Sequence, residues 1–119
     1  MSQIVYLNGQ FLPIEQAYVP VLDRGFMFGD GAYEVIPVYS RRAFRLHEHL
    51  QRLENSLQGL RLTNLYSLAE WENLVLELIK RNQAEDQSLY LQVTRGVAPR
   101  DHAFPKGVTP TVFMMSNPL

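Results

Sequence analysis

Residues 23–35, DRGFMFGDGAYEV, constrain the fold more than any other stretch, because three of these thirteen residues are glycines. Glycine adopts positive φ angles and lets another group approach the backbone closely, so the first nine residues predict a tight corner. The alternating run 33–39 follows at once and predicts a β-strand, whose successive side chains point to opposite faces of a sheet. The stretch predicts either a structural corner, capped and pinned by Asp23, Arg24 and Asp30, or a corner that presents reactive side chains.

Hydrophobic periodicity predicts the other elements. Asn8-Gly9 lies between two β-rich runs and predicts a hairpin. Leucines recur at helical spacing from Leu46 to Leu60 and predict a first helix. The capping box formed by Ser67 and Glu70 predicts the start of a second helix that runs to about residue 82. The predicted strands are 3–7, 10–14, 33–39, 43–46, 88–95 and 109–116, the last of them central in the sheet. The predicted fold class is α+β, an antiparallel sheet with two helices.

Length and composition exclude several classes of protein. A chain of 119 residues predicts a single domain, and its net charge of −1 provides no electrostatic footprint for nucleic acid or an anionic membrane. Cysteine is absent, which excludes disulfides, thiol nucleophiles and thiolate metal sites. No apolar run reaches transmembrane length, and the N-terminus lacks the features of a secretory signal. We therefore expect a cytoplasmic protein.

Arg100 and His102 are two residues apart on a loop that extends from Gly96 to Gly107. If the loop is locally extended, both side chains project to the same side. A guanidinium and an imidazole in that arrangement would form a trap for a carboxylate. The alternative is that Arg100 is solvated and His102 packs at one end of the loop.

Three further side chains could contact an anion or take part in proton transfer. Arg52, on the first predicted helix, could bind a phosphate, or it could pair with Glu48 one turn earlier. Tyr33 could donate a phenolic hydrogen bond to an anion, or it could be a half-buried strand residue. Glu34 could act as an acid or base, or it could be a solvated residue of the alternating strand.

Other familiar sites are not expected. His47 and His49 point away from each other on a helix, so we predict no metal site. No segment matches a P-loop, and the glycines at the corner do not follow a strand and open a helix as a dinucleotide fingerprint requires.

Three motifs together resemble a known family. Residues 23–35 resemble the N-terminal signature of the fold-type IV, or class IV, pyridoxal-phosphate aminotransferases, and residues 47–53, HEHLQRL, resemble the helix that follows it. Residues 93–105, VTRGVAPRDHAFP, resemble the D-amino-acid (D-alanine) aminotransferases within that family; the branched-chain members have a different loop there. The resemblance extends from the first hairpin to the last strand, and implies the small N-terminal domain of that fold.

The resemblance also implies roles for individual residues. Arg52 would bind the phosphate of pyridoxal phosphate, while Tyr33, Arg100 and His102 would hold the substrate α-carboxylate. The loop that carries Arg100 would reach into a neighbouring subunit, so a homodimer is implied. Glu34 would lie beside the site and is a weaker candidate. The implied reaction moves the amino group of a D-amino acid, such as D-alanine, to a 2-oxo acid such as 2-oxoglutarate.

One departure from the family concerns lysine. The family's Schiff-base lysine lies in a second domain, and neither Lys80 nor Lys106 matches its context. We therefore expect residues 1–119 to be a single N-terminal small domain without the lysine-bearing C-terminal domain. Such a chain would contain no catalytic residue, would not hold the cofactor stably and would be inactive alone. The alternatives are another fold-type IV enzyme, a branched-chain aminotransferase or aminodeoxychorismate lyase, or a free-standing non-catalytic binding or assembly domain.

Overall fold

The computed structural model describes residues 2–103 and 105–119, so Phe104 of the third motif lies outside the described residues. Six strands form one sheet in the order β2-β1-β6-β5-β3-β4, and every neighbouring pair is antiparallel. The strands are β1 Ile4–Leu7, β2 Gln10–Pro13, β3 Gly31–Tyr39, β4 Arg42–Ala43, β5 Gln87–Thr94 and β6 Thr111–Pro118. The prediction that the last strand lies centrally is confirmed.

The first hairpin follows the local chemistry of its turn. Asn8 and Gly9 both adopt positive φ angles, 48° and 97°, as a two-residue turn with the twist of a β-hairpin requires. The turn places Leu7 opposite Gln10 and Tyr6 opposite Phe11.

Three helices accompany the sheet: α1 Arg24–Phe28, α2 Leu46–Gly59 and α3 Leu68–Arg81. The capping box at the start of α3 is confirmed, since the Glu70 amide donates to Ser67 Oγ and the Ser67 amide donates to Glu70 Oε1. A single 3-10 turn, Ile14–Gln16, follows β2. None of the described helices is both long and apolar enough to cross a lipid bilayer.

The core lies between one face of the sheet and helices α2 and α3. The fully buried side chains of this layer come from both helices and from the three longest strands; they include Leu53, Leu57, Trp71, Val75, Leu78, Ile36, Leu89, Leu91 and Met114. Burying a side chain of this size contributes about 1.5 to 3 kcal/mol of stability. On the opposite face of β3, Tyr33, Val35 and Tyr39 remain largely exposed.

The predicted tight corner contains an element that the sequence analysis did not predict, the short helix α1. The Asp23 carboxylate accepts from the Gly25 amide at 2.8 Å and caps the start of the helix. Gly29 closes the helix in the left-handed conformation, with φ at 64°. The density of glycines indicates a corner without regular structure, whereas a cap at each end permits one helical turn between them.

The described residues therefore form three helices instead of the predicted two. The predicted strand 43–46 is also shorter than expected. Only Arg42–Ala43 pairs with β3, because Leu46 already begins α2. The predicted α+β class with an antiparallel sheet is confirmed.

Gly31 permits the close approach of β3 to β5. A Cβ atom at this position would overlap the carbonyl oxygen of Val93 on the neighbouring strand. By contrast, a Cβ atom at Gly59, the last residue of α2, would meet no atom of the described residues within 4 Å beyond its chain neighbours and the backbone of its own helix.

We expect Gly31→Ala to lower the free energy of unfolding by about 1 to 3 kcal/mol, because the strands must separate to admit the methyl group. Gly59→Ala is the matched control and should raise the free energy of unfolding by up to about 1 kcal/mol, since alanine favours the helix. Urea denaturation of the purified chain measures both values. Equal stability of the two variants would contradict this account of Gly31.

Candidate functional site

Glu34 lies on β3 with its carboxylate directed towards α2, where it is almost completely buried. Arg52 donates to it in a two-point interaction, with Nε 2.9 Å from Oε2 and Nη2 2.8 Å from Oε1. His49 Nδ1 lies 2.8 Å from Oε1 of the same carboxylate. The alternative pairing of Arg52 with Glu48 is wrong, because Glu48 contacts Arg45 instead.

The charges of this cluster stabilise one another. Burial alone would raise the pKa of Glu34, but hydrogen bonds from Arg52 and His49, together with their charges, hold that pKa below its usual range. The hydrogen bond to Glu34 raises the pKa of Arg52. The Arg52 side chain nevertheless stays 67% exposed, and none of the described residues hydrogen-bonds to its Nη1. The cluster thus presents an oriented guanidinium at the surface, which is a suitable group for an anion such as a phosphate.

Tyr33 lies on the other face of β3, where 63% of the residue is exposed. Its ring stacks on Tyr90 of β5, with a centroid distance of 5.7 Å and an interplanar angle of 24°. Beside it is a shallow, open depression lined by Gly31, Ala32, Tyr33, Ser56, Gly59 and Leu60. Because β4 pairs only with the last two residues of β3, Tyr33 lies on a largely unpaired edge of the sheet.

Arg100 and His102 are exposed on the loop between β5 and β6, and both contact the ring of Phe28. The predicted pair is therefore brought to one place, at the end of α1. Within residues 2–103 and 105–119, no hydrogen bond, ion pair or ring contact connects either side chain to Tyr33.

A second buried cluster ties the corner to the rest of the fold. Asp30 Oδ2 accepts from Arg24 Nε at 2.9 Å and from Arg95 Nε at 2.7 Å. Burial alone would raise the pKa of Asp30, but the hydrogen bonds from Arg95 and Arg24 hold it below its usual range. Arg95 also donates to the carbonyls of Leu60 and Arg61 at the end of α2. The prediction that Asp23, Arg24 and Asp30 pin the corner is confirmed.

Two residues of these clusters, His49 and Arg95, were not predicted from the sequence as partners of the acids. His49 and Arg52 are three residues apart, so they lie on the same face of a helix, and that spacing could have indicated a shared acidic partner. No pattern in the sequence indicated the role of Arg95, because this residue ends a predicted strand. Its contacts with Asp30 and Leu60 join positions far apart in the sequence.

The remaining histidine, His47, and the two lysines do not belong to either cluster. His47 contacts Glu72 and so connects α2 to α3. Lys80 is exposed on α3, and Lys106 is exposed on the loop between β5 and β6. The described part of the chain contains no group of three or more acidic, histidine or cysteine side chains placed to hold a metal ion.

Comparison with known proteins identifies relatives. The family described as "Amino-transferase class IV" matches residues 31–119. The D-alanine aminotransferase of Bacillus licheniformis is 42% identical over 115 residues, which are 97% of this chain and 41% of that protein. The chain thus spans about two fifths of the length of this relative.

Solved structures show the same fold. The branched-chain amino acid aminotransferase of Escherichia coli superposes with a TM-score of 0.92 at 23% identity, over the whole of this chain and 40% of that one. A second branched-chain amino acid aminotransferase, complexed with N-(5'-phosphopyridoxyl)-L-glutamate, superposes with a TM-score of 0.91 at 24% identity, over 100% of this chain and 41% of that one.

The lowered pKa of Glu34 predicts the acid sensitivity of the fold. A carboxylate with a depressed folded-state pKa stabilises the protein above its unfolded-state pKa of about 4.3, and this contribution is lost as pH falls through the folded-state value. We expect Glu34→Gln to lower the free energy of unfolding at pH 7 by about 1 to 3 kcal/mol, because the donors of Arg52 and His49 lose their charged acceptor. The variant should also lose less stability than the unchanged protein between pH 5 and pH 2.

Glu48→Gln is the control for this prediction. Its only described ion pair, with Arg45, lies at the surface with both side chains about two-thirds exposed, so the change should alter stability by less than about 0.5 kcal/mol. Urea denaturation at several pH values measures all three proteins. An acid profile of Glu34→Gln that matches the unchanged protein would contradict the role given to this carboxylate.

Proposed function

The chain belongs to the class IV amino-transferase family, and we propose that it is the N-terminal part of an enzyme that moves the amino group of a D-amino acid to a 2-oxo acid. The observation that carries this proposal is the 42% identity to a D-alanine aminotransferase along 97% of the chain. The structural likeness to branched-chain enzymes, at 23% to 24% identity, supports the shared fold and does not select their substrate.

Pyridoxal phosphate is the cofactor that this proposal requires. Arg52 fits its phosphate, because Glu34 fixes the guanidinium while most of the side chain remains at the surface. One of the structurally similar branched-chain enzymes is complexed with a phosphopyridoxyl compound, which supports the same cofactor here. When bound, pyridoxal phosphate supplies the electron sink and carries the amino group between the two substrates.

Tyr33, Arg100 and His102 would bind the α-carboxylate of the substrate. A guanidinium fork matches the two oxygens of a carboxylate, and a phenol and an imidazole can each donate one further hydrogen bond. In a single chain Tyr33 stacks on Tyr90, whereas Arg100 and His102 contact Phe28. We therefore propose a homodimer in which Arg100 and His102 of one chain meet Tyr33 of the other.

The lysine that reacts with the cofactor would lie in a second, C-terminal domain, with residues 1–119 forming one domain. This part of the proposal is supported by the share of the relatives that the chain spans, 41% for the Bacillus licheniformis enzyme. It is also supported by the positions of Lys80 and Lys106, which have no described contact with Arg52, Tyr33 or Arg100. A cytoplasmic location stays a prediction.

An assay of the longer protein tests the proposed reaction. With pyridoxal phosphate present, we expect amino transfer from D-alanine to 2-oxoglutarate, and a kcat/KM for D-alanine at least tenfold above that for L-leucine. The purified 119-residue chain, assayed in the same way, should show no transfer, because it would lack the lysine of the second domain. A preference for L-leucine would indicate a branched-chain enzyme, and transfer by the short chain alone would overturn the placement of the lysine.

The contact of Arg52 with the phosphate is tested by cofactor titration of the longer protein. We expect Arg52→Ala to weaken pyridoxal phosphate binding about 10- to 100-fold, because a charge-assisted hydrogen bond is lost, and Arg52→Lys to restore part of the affinity. Arg81→Ala is the matched control, since Arg81 pairs with Glu77 along α3 and should leave the affinity unchanged. Equal affinities of the Arg52→Ala and Arg81→Ala proteins would refute the assignment.

A further inference from the structure

The loop between β5 and β6 is held against α1 through its backbone. The amide of Arg24 donates to the carbonyl of Gly96 at 2.8 Å, and the amide of Ala98 approaches the carbonyl of Leu22 at 3.4 Å. Further along the loop, Arg24 Nη1 donates to the carbonyl of Asp101 at 2.7 Å. Asp101 is the residue between Arg100 and His102, so the centre of the Arg-x-His segment is fixed directly by a side chain of α1.

The ring of Phe28, at the end of α1, contacts both residues that flank this fixed carbonyl. The Arg100 guanidinium carbon lies 5.6 Å from the ring centroid, and the His102 ring lies 5.6 Å away at an angle of 57°. Among the described residues, neither side chain forms a hydrogen bond or an ion pair with another group. Phe28 is therefore the described side chain that brings the two together.

Phe28 packs in turn against Arg24, whose side chain is fixed by a buried ion pair. The Arg24 guanidinium lies 4.6 Å from the Phe28 ring centroid, and Arg24 is buried. Its Nε is bound to Asp30, whose carboxylate also accepts from Arg95. Breaking a buried ion pair leaves an uncompensated charge, so the contact with Asp30 holds the Arg24 guanidinium in place.

We propose that Phe28 is a positioning residue that holds Arg100 and His102 in register for the substrate carboxylate. The inference rests on the proposed function, because it concerns the same carboxylate site. An aromatic face attracts a guanidinium without neutralising it, so Arg100 keeps its charge for the ligand. Arginine has many rotamers, and fixing them before the ligand arrives lowers the entropic cost of binding.

Substitutions at Phe28 in the longer protein, loaded with pyridoxal phosphate, test the inference. Phe28→Leu keeps an apolar side chain but removes the aromatic face, whereas Phe28→Tyr keeps the face. We expect Phe28→Leu to raise the KM for D-alanine and the Kd for propanoate, a simple carboxylate measured by calorimetry, by about 3- to 30-fold. The kcat and the cofactor absorbance should change little, and Phe28→Tyr should bind as the unchanged protein does.

Phe26→Leu is the matched control. Phe26 belongs to the same helix and is 76% exposed, so its loss removes an aromatic ring from α1 without touching Arg100 or His102. We expect propanoate binding and KM to be unchanged in this variant. A Phe28→Leu protein that binds propanoate within twofold of the unchanged protein would overturn the inference.

A double-mutant cycle with Arg100→Ala separates positioning from a general structural role. If Phe28 acts through Arg100 and His102, then Phe28→Leu should raise the Kd for propanoate by a smaller factor once Arg100 is removed. Independent, additive effects of the two substitutions would overturn the inference, even if each one weakens binding.

The same measurements distinguish this inference from the proposed function. If the unchanged protein binds propanoate but does not transfer the amino group of D-alanine, the proposed substrate is wrong, and the cycle still decides the role of Phe28. If propanoate does not bind, both the carboxylate site and the inference fail.

As a readout independent of binding, the imidazole proton resonances of His102 should lose a ring-current shift in Phe28→Leu and retain it in Phe28→Tyr.

Discussion

The fold depends most on the carboxylate of Asp30, which two arginines from different parts of the chain share. Arg24 contributes from α1 and Arg95 from the position just after β5, and Arg95 also donates to the carbonyls of Leu60 and Arg61, which follow α2. One buried acid therefore connects the corner, the start of strand β3, the end of strand β5 and the end of a helix. Breaking such a pair typically costs about 3 to 5 kcal/mol, because a buried charge is left without compensation.

Glu34, four residues after Asp30, also holds an arginine in place, but this arginine extends to the surface. Its buried carboxylate orients Arg52, whose guanidinium reaches the surface. The acids of the segment 30–34 thus anchor three arginines: Arg24, which fastens the loop between β5 and β6, Arg95, which donates to carbonyls just after α2, and Arg52, which is suited to a ligand. The glycines around Asp30 permit this crowding, since Gly31 leaves room for the carbonyl of Val93.

Most of the fold was predictable from the sequence, because its signals are local. The Asn8-Gly9 turn, the leucine spacing of α2 and the capping box of α3 each specify an element within a few residues. The helix at the corner was missed, since its caps at Asp23 and Gly29 enclose residues that have no helical periodicity. At the site, the motifs identified Arg52 and Arg100 as candidates. The partners of these arginines, Glu34 and Phe28, are set by packing between distant segments, which periodicity does not report.

The two arginines differ in how they are held, and the difference follows from the ligand that each would bind. Arg52 contacts a carboxylate through Nε and Nη2, so it keeps its orientation but shares its charge. Under the proposed function, a phosphate with up to two negative charges would still bind to the remaining donors. A substrate carboxylate has a single charge and would compete poorly with a protein carboxylate at Arg100. An aromatic ring orients the guanidinium without that competition. Under the proposed function, a carboxylate trap is therefore better built on Phe28 than on an acid.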